Sequence, residues 1–404
     1  MFNKALKYLT NNRPDKALPL FKKVLADGGQ FKEVYLNMGN CYRLLDKDDD
    51  AAACYLKAAD KHIPFTNHEF IDVYPLALNN LGLLAGTYEE DETAEEFYRA
   101  ALTADPLYAD GIWNLANTKL RNYCSRKPEN LRECWDMYEY RYKRTQDPVV
   151  LKSKKKLLPW LGGYVDHLCI LVEQGMGDQL MFARYIALAE SVVGRVTVQC
   201  HDRLKSLYKN TCSDPSETSA THGIGICSLG RIFSDGIPNG EWLASRRIVK
   251  EANGFLDIGL TFSGNKDHVN DRHRSCPPKY FKELGSFGTL HALNPSERGL
   301  GWARDCDYSG WDATIRDLGR MDLVITVDTS IAHLCGSLGM PCWVLMARKN
   351  NDWRWGNSSI GADNIWYKSV RVFRNPGNWD SVFLEVKNEL AEMRNRLRAN
   401  EILR

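Results

Sequence analysis

The chain has 404 residues, enough for about three domains of ordinary size. With 44% hydrophobic and 26% charged residues it has the usage of folded globular protein, which excludes the disordered and fibrous classes. Lys plus Arg number 53 against 51 Asp plus Glu, a net charge of +2, so no global field draws the protein to nucleic acid or anionic lipid, and any acidic partner has to be met by a local patch.

The opening MFNKALKYLTNNRPDKAL is broken by Asn, Arg, Pro and Asp before a signal-peptide apolar region can build, and no stretch reaches the roughly 18 apolar residues of a spanning helix. A cytoplasmic protein is expected. The 12 cysteines run from Cys41 to Cys342 without a Cys-x-x-Cys pair, a pattern of buried reduced thiols, and the histidines add no metal-ligand spacing.

The first third is periodic. Ala5, Tyr8, Ala17, Phe21 and Val24 align with Gly39, Tyr42, Ala51, Tyr55 and Ala58 at an offset of 34 residues, the tetratricopeptide period. A third copy, carried by Gly82, Ala94, Tyr98 and Ala101 and closed by Pro106, comes 43 residues later, which places about nine extra residues in a loop around His62 to Asp72. A degraded fourth copy keeps Trp113, Leu115 and Ala116, with NLRECWDMYEYRYKR as its second helix. Small residues at fixed positions let paired helices approach, and the aromatics fill the groove between successive pairs. Tyr42, Tyr55 and Tyr98 are read as core. The array offers a concave surface to an acceptor or a partner chain, or it braces the lobes of the remaining chain.

After LKSKKKLLPW (151–160), read as a linker, the pattern changes. Short β-branched runs alternate with helical segments, which implies parallel sheets covered by helices on both faces. The expected strands are 168–173, 195–200, 223–229, 257–264, 289–294, 322–328 and 342–346, and the expected helices 178–192, 278–286, 312–320 and 329–339. EWLASRRIVKEANG (241–254) reads as the joint between two lobes, and the chain ends in an amphipathic helix with Val382, Phe383, Val386 and Leu390 on one side.

Ligands of open α/β sheets bind beyond the carboxyl ends of the strands, where two turns stand out. In EQGMGDQLMFARY (173–185), Gly175 and Gly177 permit a tight turn and close ligand approach, and Asp178 is either a general base or a helix N-cap. In ITVDTSIAHLCGSLGMP (325–341), Asp328, Thr329 and Ser330 open a helix whose free amides and positive dipole end favour a phosphate; plain capping is the alternative. His333 lies one turn further on and points either to that ligand or into packing between lobes. FSGNKDHVNDRHRS (262–275) gathers Lys266, His268, Arg272, His273 and Arg274, cations suited to a diphosphate leaving group or to an ordinary solvated loop. DWRWG (352–356) sets two tryptophans around Arg354, for stacking on a ligand or for filling an interface. Asp305-x-Asp307 imitates a metal-binding pair and is discounted as a chance spacing.

Taken together, EQGMGDQLMFARY, SGN followed by NDRHRS, DLVITVDTSIAHLCGSLGMPCWVL, DWRWG and WYKSVRVFRNPGNWDSV resemble proteins in which tetratricopeptide repeats precede a domain similar to glycosyltransferase family 9, the heptosyltransferase relatives. The resemblance covers about residues 150 to 382. It implies a GT-B fold of two Rossmann-like lobes: repeats over 1–148, an acceptor-side lobe over 149–250, a nucleotide-sugar lobe over 251–375 and a terminal helix over 376–404. It implies metal-independent, inverting transfer of a sugar from a nucleoside-diphosphate donor to a hydroxyl of a protein, a glycan or a modified DNA base, with no cofactor beyond the co-substrate. Asp178 matches the family's candidate base. Gly177, Ser263, Gly264, Asn265, Arg272, Arg274, Asp328, Thr329, Ser330 and His333 are carried over as donor-side residues. The segments 294–310 and 346–351 depart from the family's wording, so donor and acceptor identity do not carry over. The other class of reading is a non-catalytic repeat scaffold whose lobes bind a nucleotide.

Overall fold

The structure is a computed structural model that describes residues 1–64, 73–127, 129–145, 148–200, 202–248, 250, 255–266, 270–357 and 364–402, with side chains to residue 396. His268 and most of the expected insertion at 62–72 lie outside the described residues. Two compact units emerge: Met1–Lys119 with Met137–Pro148, and Leu120–Asp136 with Val149–Arg404. The second unit thus takes in a segment that precedes residue 148.

The first unit consists of helical pairs. They are α1 (Phe2–Thr10) with α2 (Pro14–Ala26), α3 (Lys32–Leu44) with α4 (Asp48–Ala58), and α5 (Val73–Thr87) with α6 (Asp91–Ala104), followed by most of α7 (Ala109–Cys124); the end of α7 and most of α8 (Leu131–Tyr138) belong to the second unit. The alignment at 34 residues has a steric cause. A Cβ on Gly39 would lie 2.6 Å from Cδ1 of Tyr55, and one on Gly82 would lie 2.6 Å from Cε1 of Tyr98, so each ring fits only where the facing helix lacks a side chain. Tyr55 and Tyr98 are buried, as expected of core residues. Tyr55 also donates its hydroxyl to Asn40 Oδ1 at 2.8 Å, which satisfies the one polar atom its burial carries inward.

In the second unit, strands β1 (Leu158–Pro159), β2 (Leu168–Leu171), β3 (Val196–Gln199), β4 (Thr211–Cys212) and β5 (His222–Gly225) form a parallel sheet in the order β1-β5-β2-β3-β4. Strands β6 (Leu256–Thr261), β7 (Gly288–Ala292), β8 (Arg304–Asp305), β9 (Leu323–Val327), β10 (Cys342–Leu345) and β11 (Val370–Phe373) form a second, ordered β11-β10-β9-β6-β7-β8. Counted along the chain, that second order is the doubly wound order of a dinucleotide-binding fold, and the first sheet repeats its first half. The architecture is therefore a helical repeat array followed by a twin Rossmann-like, GT-B unit. Helices α9 (Met176–Phe182), α10 (Ile186–Val192), α11 (Leu229–Ile232), α12 (Asp271–Arg274), α13 (Pro278–Lys282), α14 (Trp311–Leu318) and α15 (Ser330–Leu338) connect the strands, and α16 (Trp379–Ile402) closes the chain.

All seven expected strands are present, trimmed by one to four residues at their carboxyl ends, while β5, β6 and β7 start one residue earlier than expected. Two-residue strands β4 and β8 carry too little pattern to read, and β11 was hidden because Arg371 interrupts VRVF; its guanidinium is met by Glu389 at 2.7 Å. The stretch 151–160 is not linker throughout, since Leu158 and Pro159 pair with His222 and Gly223. Around the expected joint, Trp242 Nε1 donates to Leu180 O at 2.9 Å, the Leu243 amide to Ser337 O at 2.8 Å, and Lys250 Nζ to Asp257 and Asp322 at 2.7 Å each. The terminal helix buries Val382, Phe383, Val386 and Leu390 against the second sheet's core.

Candidate functional site

Each sheet has a topological switch point, where neighbouring strands send their helices to opposite faces and a crevice opens at the carboxyl ends. In the first sheet it lies between β2 and β5, in the second between β6 and β9. The loops after these strands carry the residues that the sequence motifs single out.

After β2, the chain turns through Gln174, a non-glycine residue held at φ +58°, a left-handed conformation that needs support from its surroundings. The preceding Glu173 accepts the Cys227 amide at 3.1 Å and so ties the end of β2 to the residues after β5. Helix α9 starts at Met176, so Gly175 is the N-cap and Asp178 is not. Asp178 sits in the first turn and its Oδ2 accepts the Gly175 amide at 3.0 Å, the back-reaching half of a capping box. Its other oxygen meets Arg354 Nη2 in a short ion pair. Burial pushes the Asp178 carboxyl up, Arg354 opposes this, and the nearby carboxylates Asp352 and Glu173 add to the rise.

Arg354 organises the crevice from the second lobe. It is 6% exposed, and its Nη1 donates to both oxygens of Asp352 at 2.9 Å while Nη2 holds Asp178. Its Nε faces Met181 Sδ at 3.2 Å, and the guanidinium lies 4.5 Å from the Trp353 ring centroid. Burial alone would raise the Asp352 carboxyl, but Arg354 outweighs it and Asp352 stays below its ordinary value. The two tryptophans fill an interface. Trp353 packs edge-on against Trp135 and Trp366 at 5.9 and 5.8 Å, and Trp355 stacks on His333 at 5.2 Å.

At the end of β9, Asp328 is pushed up to about 6 by burial and then by Asp352, with the Trp355 side chain, Arg274 and Arg354 working the other way. The Trp355 indole N–H nonetheless completes no hydrogen bond, so its relief of Asp328 is that of a nearby dipole. Thr329 is the N-cap residue of α15 but its side chain caps nothing; its hydroxyl pairs with Thr326 Oγ1 at 3.0 Å. The leading amides of α15 are thus left without a side-chain cap, a helix end ready for an anion. His333 turns away from that end. Its Nδ1 pairs with Tyr367 Oη at 3.1 Å, and a Cβ on Gly177 would come within 2.9 Å of its ring. Burial and the Arg354 charge lower it to about 3, so at neutral pH it carries no charge and packs the two lobes together. Gly177 is required for that close approach.

The loop after β6 joins the same crevice. Arg274 Nη1 donates to Asp328 O at 3.2 Å and Nε to Asp271 at 3.2 Å, and Gly264 leaves it room, since a Cβ there would sit 2.5 Å from Arg274 Nε. Ser263 presents its hydroxyl to Ser296 at 3.0 Å. Asn265, Lys266 and Arg272 are exposed, and Arg272 Nε donates to His273 Nε2 at 3.1 Å. Asp178, Gly177, Asp328, Arg274 and His333 are therefore brought together with Arg354, while Asn265 and Arg272 lie on the outer side of their loop. Asp305 and Asp307 are engaged locally, accepting the Gly299 and Ser309 amides at 2.9 Å each. Among the described residues no group of three or more His, Cys, Asp or Glu is placed to hold a metal ion.

Two residues escaped sequence reasoning. Glu297, 2% exposed, accepts the Phe262 and Ser263 amides at 2.8 and 2.9 Å through Oε1, while its buried Oε2 has no partner. Burial raises it to about 7. Arg184, 3% exposed, donates to Trp366 O at 2.9 Å and lies 4.7 Å from the Tyr367 ring centroid, linking the lobes a second time. Arg184 stands inside the EQGMGDQLMFARY motif, yet a charge within an apolar helical run was the only signal of its burial.

Residues 32–60 match the tetratricopeptide repeat family model, the span of α3 and α4. No curated protein matches the chain. Among solved structures, the Escherichia coli heptosyltransferase WaaC with ADP is similar at 13% identity over 56% of this chain and 99% of that one, with a TM-score of 0.40. A mutant of the Thermobaculum terrenum O-GlcNAc transferase is similar at 12% identity over 98% and 91%, with a TM-score of 0.35. The MamA protein is similar at 16% identity over 34% and 72%, with a TM-score of 0.28. The fold assignment rests on the chain's own repeat period and strand orders. Among the described residues no helix is long and apolar enough to cross a membrane.

Proposed function

We propose that the protein is a cytoplasmic glycosyltransferase that moves a sugar from a nucleoside-diphosphate donor to an acceptor hydroxyl, without a metal and with inversion. The observation that supports this most is the meeting of the two switch-point loops: a Cβ on Gly177, the residue before the titratable Asp178, would lie 3.8 Å from the Ser330 Cα at the uncapped start of α15. In this reading the α15 amides and Arg274 receive the charge that develops on the diphosphate as the glycosidic bond to it breaks. Asp178 takes the acceptor proton. The resemblance to the heptosyltransferase relatives points the same way, and the repeats supply a surface for a protein or glycan acceptor.

A mass-spectrometric screen of nucleotide sugars for binding and slow hydrolysis tests donor class and activity together. With the donor in hand, Asp178→Asn keeps an oxygen for the Gly175 amide but accepts no proton. Turnover is expected to fall by about two to four orders of magnitude, the usual share of general base catalysis. Retention of most activity removes Asp178 from the mechanism, and binding without any hydrolysis or transfer favours the nucleotide-binding scaffold.

A further inference from the structure

Arg354 is placed for more than holding the lobes together. One guanidinium edge is committed to Asp352 by two bonds of 2.9 Å, both within the loop that carries it. The other edge crosses to the first lobe and ends on Asp178. The loop that carries this guanidinium also reaches α15: Trp355, the next residue, stacks on His333 at 5.2 Å, and a Cβ on Gly177, the residue before Asp178, would lie 3.8 Å from the Ser330 Cα at the start of that helix. The cation nearest the proposed base is thus also a cation of the proposed diphosphate site. A guanidinium presents its donors in a planar fork and binds carboxylate and phosphate by the same geometry, so the two anions are alternatives for the edge that now holds Asp178.

Resting on the function proposed above, we propose that Arg354 is a positioning residue that couples donor binding to base release: the incoming diphosphate takes the Nη2 edge of Arg354 from Asp178 while Nη1 stays on Asp352. Asp178, left in the crevice with Glu173 and Asp352 as its charged neighbours and His333 neutral, becomes a stronger base. It accepts the proton of the acceptor hydroxyl as that oxygen bonds to the anomeric carbon, and the electron pair of the broken sugar–phosphate bond leaves with the diphosphate, whose charge Arg354 then balances. Without donor, the ion pair holds the base idle.

The exchange makes nucleoside diphosphate and the Asp178 charge competitors, which a merely structural latch does not. The probe is a panel of ADP, GDP and UDP, titrated calorimetrically at pH 6.5 to 7 in two buffers of different ionisation enthalpy, with the intact chain. Wild type is expected to take up more protons, or release fewer, than Asp178→Asn on binding the same diphosphate, as Asp178 loses its cation; the ligand's own phosphate proton is common to both. Asp178→Asn is expected to abolish the Asp178 share of that uptake and to bind the same diphosphate about three- to tenfold more tightly, because nothing competes for Arg354. Arg354→Lys, which keeps one charge but not the fork, is expected to bind at least tenfold more weakly and to lose that share. If Asp178→Asn binds no more tightly and the uptake is unchanged, the exchange is wrong while the donor site stands. If none of the three diphosphates binds wild type, the donor site and the exchange fall together.

Discussion

In the first unit, two large buried rings meet a glycine sixteen positions earlier, Tyr55 at Gly39 and Tyr98 at Gly82, and the buried Phe21 stands at the same offset from Ala5. In the second unit the decisive partners are far apart in sequence, with Asp178 and Arg354 separated by 176 residues, Arg184 and Trp366 by 182, and Ser125 and Asn357 by 232. A repeat buries its face against its neighbour, so its rules are local and recur. A doubly wound sheet brings strand ends together from across the chain, and its buried charges find partners only after both sheets exist. The second unit accordingly buries Arg184, Arg354 and Glu297 in its packing.

The largest expected effect tests where the second unit begins. Trp135 comes from α8, yet it packs on Phe182 and Trp353 at 5.7 and 5.9 Å and lies against Gly230. Trp135→Ala is expected to cost about 3–5 kcal/mol, the range for emptying a buried aromatic site, read from urea unfolding. A chain that starts at residue 149 loses Trp135 and the Ser125 hydroxyl that caps the Asn357 amide at 2.8 Å. It is expected to be insoluble or unable to bind nucleotide; if it folds and binds, the contrast between local and long-range cores has been drawn at the wrong residues.

A smaller effect comes from Glu297, whose burial cost belongs to the tertiary fold alone. Its carboxyl rises from 4.5 to about 7 on folding. Below pH 4.5 both folded and unfolded chains hold the proton; between there and 7 only the folded chain does, so rising pH removes stability at about 1.4 kcal/mol per unit. Glu297→Gln escapes that loss. Its stability relative to wild type is expected to be level at pH 4 and higher by on the order of 3 kcal/mol at pH 8, measured by urea unfolding across pH. A difference that does not vary with pH shows that the buried charge is compensated.

The smallest effect sharpens the local rule. Gly82→Ala gains helix propensity of up to about 1 kcal/mol, but the added carbon meets the buried Tyr98 ring. A net loss of about 1–2 kcal/mol is expected, as for overpacked cores, and the double change with Tyr98→Leu is expected to recover most of it. If Gly82→Ala alone is neutral by thermal unfolding, the ring has room to move and the period is not set by that contact.

The repeats, seven of the eight longer strands and the terminal helix were legible because apolar period and turn chemistry are local properties of the sequence. The two Gly-rich or polar turns were legible as positions in a parallel α/β pattern, before any partner was known. What the sequence could not supply was the company each residue keeps. Asp178 was an even choice between cap and base, and the fold makes it the back-reaching half of a capping box and an ion pair at once. His333 was open between ligand and packing, and the fold buries it against Tyr367, Trp355 and Gly177. Arg354 stood in view inside DWRWG with no assigned role. Its importance comes from Coulomb attraction across a crevice that forms only when two sheets, coded 176 residues apart at this contact, set their carboxyl ends face to face.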